Sequence, residues 1–321
     1  MKLVMLDADT LGSVDLAGFS RIGEFVKYNT TSKKDTFNRV KDADIIITNK
    51  VVIDKEIMQK CNNLKLICIA ATGMNNVDLD FAKEKGVEVK NVAGYSTASV
   101  AQATFTLLFS LIGSSAYYDD YVKSKRWSKS SIFTHLDKEF FEIKGKTWGV
   151  IGLGNIGKAV AGIAKAFGAN VIYYSTSGVN RNHEYKRNNL EELLKNSDII
   201  SIHAPLNEKT DNLIKKEELS MMKKGAIILN MGRGGIVNEE DLAYAIDNFG
   251  LLAGLDVSKF EPIKADNPLL YVKHINNIVF SPHIAWASRE ARNTLVSMII
   301  NNIEEFTQNK EKWWQKNIVL I

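Results

Sequence analysis

Three side chains of complementary chemistry follow predicted strands in the C-terminal half of the chain. Arg233 lies in a Gly-rich segment, a carboxylate of either Asp256 or Glu261 follows the next strand, and His283 follows a proline after the last strand. A guanidinium can bind a carboxylate through two hydrogen bonds and polarise a neighbouring carbonyl. An imidazole can protonate that carbonyl oxygen, and a carboxylate on its other ring nitrogen favours the protonated, correctly oriented ring. Beside a nicotinamide, this set would reduce a 2-keto acid to a 2-hydroxy acid.

A glycine-rich turn predicts where the nicotinamide cofactor would bind. Residues 147–151 are typical of a buried strand, GLGNIG at 152–157 follows at once, and apolar residues then recur at helical spacing to Phe167. In such a turn the first glycine permits the sharp bend and the second lets the backbone approach a pyrophosphate. The third lets the helix pack on the strand. A flavin nucleotide or S-adenosylmethionine is the competing ligand for this pattern.

Strands and helices alternate along the chain, which is typical of parallel sheets covered by helices. Residues 1 to about 98 are therefore predicted to form a first α/β unit, and the glycine-rich turn opens a second. Six strands in the second unit match a complete dinucleotide-binding sheet. The predicted strands are 3–6, 45–48, 66–70 and 87–89 in the first unit, and 148–151, 171–174, 199–203, 226–230, 252–256 and 277–281 in the second.

Aspartates are predicted to begin three helices in the first unit, at 35–40, 54–61 and 78–85. A mostly apolar stretch at 99–125 predicts one long helix between the domains, with Ser99 as a possible cap. The segment 126–145 is predicted to be a loop packed over the core. Further helices are predicted at 191–195, 238–247 and 288–306, followed by a tail at 308–316 that docks through Trp313 and Trp314.

Composition narrows the class of protein. A length of 321 residues favours two domains. The 41 basic and 37 acidic residues are mixed, so neither a nucleic-acid surface nor a membrane surface is expected. Cys61 and Cys68 are too few for a disulfide framework and lack partners at zinc-site spacing, so no metal site is predicted. The start of the chain lacks a signal-peptide pattern, and we expect a cytoplasmic protein.

Four segments carry a resemblance to a known family. The sequence resembles the D-isomer-specific 2-hydroxyacid dehydrogenases through GLGNIGKAVAGIAKAFG (152–168), NMGRGGIVNEEDL (230–242), GLDVSKFEP (254–262) and SPHIAWAS (281–288). In that family the arginine of the RG pair, the glutamate of EP and the histidine of PH are catalytic, and they fall on Arg233, Glu261 and His283. AATGMNNVDL (70–79), NVAGYSTASVAQ (91–102) and HIAWAS are most similar to members called glycerate dehydrogenase or hydroxypyruvate reductase.

The resemblance implies a fold and a set of contacts. It implies two doubly wound parallel-sheet domains, a flavodoxin-like substrate domain (1–98 plus 289–321) and a Rossmann dinucleotide-binding domain (99–288). An active-site cleft is expected between the two domains. A homodimer formed chiefly through the Rossmann domains is also implied. The substrate, a small anionic 2-keto or 2-hydroxy acid, is expected to contact Thr72, Gly73, Met74, Arg233, His283 and Trp286. The cofactor is expected to contact Gly152, Gly154, Asn155, Ile156, Gly157, Ser175, Thr176, His203, Pro205, Met231, Gly232, Arg233, Asp256 and His283.

Two departures from the family pattern matter for function. Many members have Asp-Val-Phe-Glu after the fifth nucleotide strand, whereas this chain has Asp-Val-Ser258-Lys259. NAD enzymes usually carry an acid at the end of the second nucleotide strand, whereas this chain has Ser175, with Arg181 nearby in sequence. A serine neither repels the 2′-phosphate of NADP nor prevents a hydrogen bond to the ribose of NAD. The cofactor is therefore NAD or NADP, with NAD slightly favoured.

A second hypothesis comes from a different class of protein. The same fold could serve as a nucleotide-sensing scaffold that binds a protein partner, and an intact catalytic set does not exclude this. Hydrolase and zinc-dependent chemistry find no support, because the sequence has neither a GxSxG elbow nor zinc ligands. Turnover of keto acids with NADH or NADPH would separate the enzyme from the scaffold.

Overall fold

The computed structural model describes the backbone of residues 1–318 and the side chains of residues 1–308. The chain divides into two compact units. The first unit comprises Met1–Ser96 and the C-terminal residues from Ala287, and the second comprises Thr97–Trp286. Residues 319–321 of the predicted substrate domain lie outside the described residues, as do the side chains of Trp313 and Trp314, which were predicted to dock.

The first unit contains a five-stranded parallel sheet with one strand more than the sequence predicted. Its strands are β1 (Lys2–Met5), β2 (Glu24–Lys27), β3 (Ile45–Thr48), β4 (Leu66–Ile69) and β5 (Glu88–Lys90). Their order, β2-β1-β3-β4-β5, is the flavodoxin-like order. The central strands β3 and β4 are fully buried, as expected for a parallel sheet covered on both faces. The missed strand β2 is a short edge strand with charged ends.

Four α-helices among the described residues belong to the first unit: α1 (Lys33–Val40), α2 (Lys55–Lys60), α3 (Leu79–Lys85) and α10 (Arg289–Ile318). Two of the three predicted aspartate caps are confirmed, because the Asp54 and Asp78 carboxylates each accept a backbone N–H at 3.0 Å. The third was wrong. Asp35 lies in the first turn of α1, and Ser32 occupies the cap position in an extended conformation.

The second unit contains a seven-stranded parallel sheet in the order β12-β11-β10-β9-β6-β7-β8. This is the doubly wound dinucleotide-binding order extended by one strand, and its direction reverses between β6 and β9. The prediction of six strands missed β8, which is only two polar residues long. The elements are β6 (Thr147–Ile151), α6 (Asn155–Ala166), β7 (Asn170–Tyr174), β8 (Lys186–Arg187), α7 (Leu190–Asn196), β9 (Ile199–Ile202), α8 (Lys216–Met221), β10 (Ile227–Asn230), α9 (Glu239–Phe249), β11 (Leu252–Leu255) and β12 (Ile278–Phe280).

The single helix predicted over 99–125 is two helices, α4 (Thr97–Ile112) and α5 (Ser115–Lys123), bent by 60°. The break falls at Gly113 and Ser114, and Ser114 has a left-handed backbone with φ 45°. Ser99 is not a cap, because it lies inside α4 and its hydroxyl donates to the carbonyl of Ala285 at 2.6 Å. Among the described residues no single helix is long and apolar enough to cross a membrane, although the bent pair α4 and α5 together meet that length and composition.

The segment 126–145 does not pack over the core as predicted. Phe133 is 89% exposed, Leu136 72% and Phe140 65%, whereas Ile143 near the end of the segment is buried. Hydrogen bonds in this segment are mostly local, such as that from the Trp127 indole to the carbonyl of Phe133. The segment was predicted to be a loop packed over the core, but in this structure its aromatic residues are exposed.

Candidate active site

The glycine-rich turn connects β6 to α6 at the point where the sheet order reverses. Gly152 has φ +90°, and a Cβ on it would lie 2.9 Å from the backbone nitrogen of Ala204. A Cβ on Gly157 would overlap the carbonyl of Gly152. Gly154, by contrast, has nothing within 4 Å of a Cβ and caps α6. Two glycines are therefore required by the fold itself, and the middle one leaves room for a ligand at the helix N-terminus.

A cavity of about 770 Å³ opens over this turn. Of the residues predicted to contact the cofactor, Gly152, Gly154, Ser175, Thr176, His203 and Pro205 line it. The sequence analysis did not predict seven others: Leu153, Ser177, Asn180, Ala204, Asn207, Glu208 and Lys209. The size of the cavity and its glycine cradle fit the pyrophosphate and ribose of a dinucleotide.

The end of β7 carries hydroxyl groups where many dinucleotide-binding domains carry an acid. Ser175 is buried, and its hydroxyl lies 3.4 Å from that of Ser177. Asn180 donates to the carbonyl of Leu153 at 2.6 Å, which ties the loop after β7 to the glycine-rich turn. The charged side chains that line the cavity, Glu208 and Lys209, come from the loop after β9. This end of the cavity is therefore polar with mixed charge.

His203 ends β9 and lines the same cavity. Its two ring nitrogens are buried, and neither has a hydrogen-bond partner among the described residues. Burial lowers the pKa of His203 from 6.5 to about 3. The ring is therefore neutral near pH 7.

Arg233, Glu261 and His283 follow β10, β11 and β12, which are neighbours in the sheet. Because parallel strands end at one edge, the fold brings these loops together. Asn230 shapes the arginine loop. Its side-chain amide donates to the carbonyl of Arg233 at 3.0 Å and its oxygen accepts from the backbone N–H of Gly232 at 3.1 Å.

Glu261 and His283 are in direct contact, with Oε2 of the glutamate 2.7 Å from Nδ1 of the histidine. The backbone N–H of His283 donates to the carbonyl of Asp256 at 2.8 Å, and the residue has a left-handed backbone with φ 53°. With Nδ1 held by a carboxylate, Nε2 is the ring nitrogen available for proton transfer to a substrate.

The carboxylate of Asp256 organises the loop that presents His283. It is buried and accepts from the Ser281 hydroxyl at 2.6 Å and from the backbone N–H groups of Ile284 and Ala285 at 2.9 and 3.1 Å. Burial raises the pKa of Asp256, and these hydrogen bonds and the charge of His283 oppose the rise. Asp256 was predicted to contact the cofactor, but its hydrogen bonds among the described residues are to its own loop.

The remaining predicted residues lie in several places. Thr72, Gly73 and Met74 follow β4 in the first unit, where the Thr72 hydroxyl donates to the carbonyl of Val92 at 3.0 Å. Trp286 ends the second unit and packs against its core. In the same unit Asn155 and Ile156 open α6, whereas Met231 and Gly232 are buried after β10. Among the described side chains, no group of three or more His, Cys, Asp or Glu could hold a metal ion.

Residues 105–285, more than half of the chain, match the family described as "D-isomer specific 2-hydroxyacid dehydrogenase, NAD binding domain". The chain belongs to this family. It is therefore an oxidoreductase that uses a nicotinamide cofactor, and its substrates are small 2-hydroxy and 2-keto acids.

Relatives and solved structures agree over nearly the whole length. A hydroxypyruvate reductase from Blautia hydrogenotrophica is 39% identical over 314 residues, covering 95% of this chain and 97% of the relative. D-lactate dehydrogenase from Aquifex aeolicus, solved with NAD and lactic acid, superposes with a TM-score of 0.82 at 27% identity and 97% coverage of both chains. An acyclic imino acid reductase solved with NADPH and D-Arg gives 0.84 at 30% identity, covering 97% of this chain and 98% of the other.

Proposed function

We propose that this enzyme reduces hydroxypyruvate or a similarly small 2-keto acid to the D-2-hydroxy acid, with reversal under oxidising conditions. The observation that carries the proposal is the Glu261–His283 contact of 2.7 Å, at the same sheet edge as Arg233. When bound, the reduced nicotinamide supplies the hydride. Arg233 binds the substrate carboxylate and polarises the keto oxygen. His283 donates the proton through Nε2 and Glu261 orients the ring.

The proposed substrate follows from the relatives and from the sequence of the first unit. The hydroxypyruvate reductase from Blautia hydrogenotrophica supports a short, polar keto acid. We infer that the backbone at Thr72, Gly73 and Met74 binds the substrate carboxylate and that Trp286 shields the substrate from water. Loops of the first unit would then select the side chain of the substrate, and hydroxypyruvate, glyoxylate and pyruvate are the acids to compare.

The decisive test is a panel of these three keto acids with NADH and with NADPH. Turnover of at least one acid, with hydroxypyruvate giving the highest kcat/KM, is expected. Cofactor binding without turnover of any acid would instead favour the scaffold hypothesis. Chiral analysis of the product would test the D configuration.

We propose that NAD is slightly preferred and that NADP is also accepted. Ser175 can donate a hydrogen bond to an adenosine ribose, which supports NAD, and no carboxylate at this strand end repels a 2′-phosphate, which supports NADP. Introducing an acid with Ser175→Asp should raise the kcat/KM ratio of NADH to NADPH by about tenfold, which corresponds to about 1.4 kcal/mol, because a carboxylate at this position would repel a 2′-phosphate. Ser177→Asp, two residues along the same loop, tests whether the effect requires the strand-end position.

We also propose a homodimer formed through the second unit, in the cytoplasm. Monomers rarely expose large contiguous apolar patches, and this unit exposes the side chains of Trp127, Ile132, Phe133, Leu136 and Phe140. Sedimentation should give a dimer that Phe133→Ser weakens, and a monomer at all concentrations would contradict the proposed dimer.

The proposed location in the cytoplasm is supported by the cysteines. Two free, buried cysteines fit a reducing compartment, which cell fractionation can check.

A further inference from the structure

A carboxylate outside the proposed catalytic set holds the loop that leads to Glu261. Glu239 is the first residue of α9. Its Oε1 accepts from the hydroxyl of Ser258 at 3.0 Å and from the backbone N–H of Lys259 at 2.7 Å. Its Oε2 accepts from the side-chain amide of Asn267 at 2.7 Å. Both oxygens are thus used to fix loop residues.

The arginine loop packs against the same peptide. A Cβ on Gly234, next to Arg233, would overlap the carbonyl group of Ser258. The peptide that joins Ser258 to Lys259 is therefore confined on one side by the backbone of Gly234 and on another by the carboxylate of Glu239. The loops after β10 and β11 are fixed relative to each other at this point.

The hydrogen bonds continue from this peptide to the histidine. The backbone N–H of Ser258 donates to Oε1 of Glu261 at 3.3 Å, and Oε2 of Glu261 meets Nδ1 of His283 at 2.7 Å. A shift of Ser258 would therefore displace the carboxylate that faces the imidazole. Hydrogen bonds to a charged acceptor are stronger than neutral ones, and the N-terminus of α9 favours the negative charge of Glu239.

We propose that Glu239 is a positioning residue for proton transfer: it fixes Ser258 and Lys259 so that Glu261 stays directed at His283. This inference rests on the proposed roles of Glu261 and His283. The hydroxyl of Ser258 gives Glu239 a side-chain donor in addition to the backbone N–H of Lys259.

The test compares Glu239→Gln with Glu240→Gln, which removes the same charge from the same turn of α9 at an exposed side chain. Glu239→Gln should lower kcat for keto-acid reduction about tenfold, because small misplacements of catalytic groups are costly. The pH profile of kcat should change as well, because the Glu261 carboxylate would no longer be held against Nδ1 of His283. Asp256, the other carboxylate that acts on His283, is unchanged in both variants. The KM for the cofactor should not change, and Glu240→Gln should behave as wild type.

Amide hydrogen exchange separates this inference from the proposed function. Exchange at Lys259 should be faster in Glu239→Gln and unchanged in Glu240→Gln, whatever the enzyme turns over. If His283→Asn keeps full activity, the proposed function fails. If His283→Asn is inactive but Glu239→Gln has the wild-type rate and pH profile, the positioning role alone is overturned. An equal loss of rate at every pH with a lower Tm would also overturn it, because that indicates general destabilisation.

Discussion

The two sheets differ in what occupies the crevice where their strand order reverses. In a doubly wound sheet a crevice forms at the carboxyl ends of the two strands where the order reverses. In the second unit this crevice lies between β6 and β9, and a glycine-rich turn and a cavity of about 770 Å³ occupy it. In the first unit it lies between β1 and β3, and the carboxylate of Asp7 fills it.

The carboxylate of Asp7 occupies an anion-binding site that the backbone after β3 forms. Its oxygens accept from the backbone N–H groups of Asn49, Lys50 and Val51, the three residues that directly follow β3, at 2.6 to 3.2 Å. Successive N–H groups of this kind form a concavity that binds anions in other proteins. The side chain is only 6% exposed, so the fold itself satisfies these donors. The carboxylate at this crevice therefore stabilises the first unit, whereas the crevice of the second unit contains a cavity.

Removing the proposed acid of the second unit should have the largest effect and should leave the fold intact. His283→Asn should lower turnover of the keto acid by about 10²–10⁴, the usual contribution of general acid-base catalysis. The Tm should stay close to wild type, because the ring is partly exposed and its contact with Glu261 is a surface pair. Steady-state kinetics and thermal unfolding on the same preparation check both parts. A variant with full turnover would contradict the role of His283.

Removing the strand-end carboxylate of the first unit, Asp7, should instead destabilise the fold. Asp7→Asn should lower the free energy of unfolding by about 2–4 kcal/mol, because the amide nitrogen would face a backbone N–H that a carboxylate oxygen now accepts and the remaining hydrogen bonds would lose their charged acceptor, and each lost partner costs about 1–3 kcal/mol. Urea unfolding checks the value. The control is Asp44→Asn at the other end of the sheet, where the carboxylate accepts one backbone N–H and one lysine and the expected loss is smaller. Equal losses would mean that the crevice has no special role.

How far the sequence predicted these two regions depended on the range of the interactions. Runs rich in Ile and Leu located β3, β4, β9 and β10, because a parallel sheet buries both faces of such strands. The pairing of Glu261 with His283 was predicted from the resemblance to the dehydrogenase family, and both residues follow adjacent strands. Asp7 was not predicted, because its partners lie 42 to 44 residues away and nothing in the local sequence marks them. Asn180 was missed for the same reason, since it contacts a residue 27 positions earlier.

Closing the crevice of the second unit should weaken cofactor binding. Gly152→Ala places a Cβ against the backbone of Ala204 at a left-handed φ, so the turn must shift. We expect the Kd for NADH to rise at least tenfold, about 1.4 kcal/mol, in a fluorescence titration. Gly162→Ala, on the exposed side of α6 with open space around a Cβ, should keep the affinity and stabilise the fold by about 0.5–1 kcal/mol. Unchanged affinity in Gly152→Ala would show that the turn tolerates a side chain.

A further comparison concerns the pH dependence of stability, and it arises from His203 at the edge of the open crevice. The pKa of His203 is lowered to about 3 in the folded chain by burial, against an ordinary value of 6.5. Between these two pH values the unfolded chain binds more protons than the folded chain, so the free energy of unfolding falls as the pH falls from 6.5 towards 3. The contribution of the neutral His203 ring to stability is fully present above pH 6.5. One such group contributes a slope of at most about 1.4 kcal/mol per pH unit.

Urea unfolding from pH 7 to pH 5 measures this slope while most carboxylates stay ionised. His203→Gln should reduce the slope by close to one proton, whereas His183→Gln, which removes an exposed histidine, should keep the wild-type slope. Bound cofactor sharpens the comparison. If the cofactor covers His203, the stabilisation of wild type by NADH should be smaller at pH 5 than at pH 7 only as far as the affinity for NADH changes. Any part of this difference that depends on the His203 ring should be absent in His203→Gln. An identical slope in His203→Gln and wild type would mean that the ring gains its proton without unfolding, so that the crevice admits water and charge beside β9.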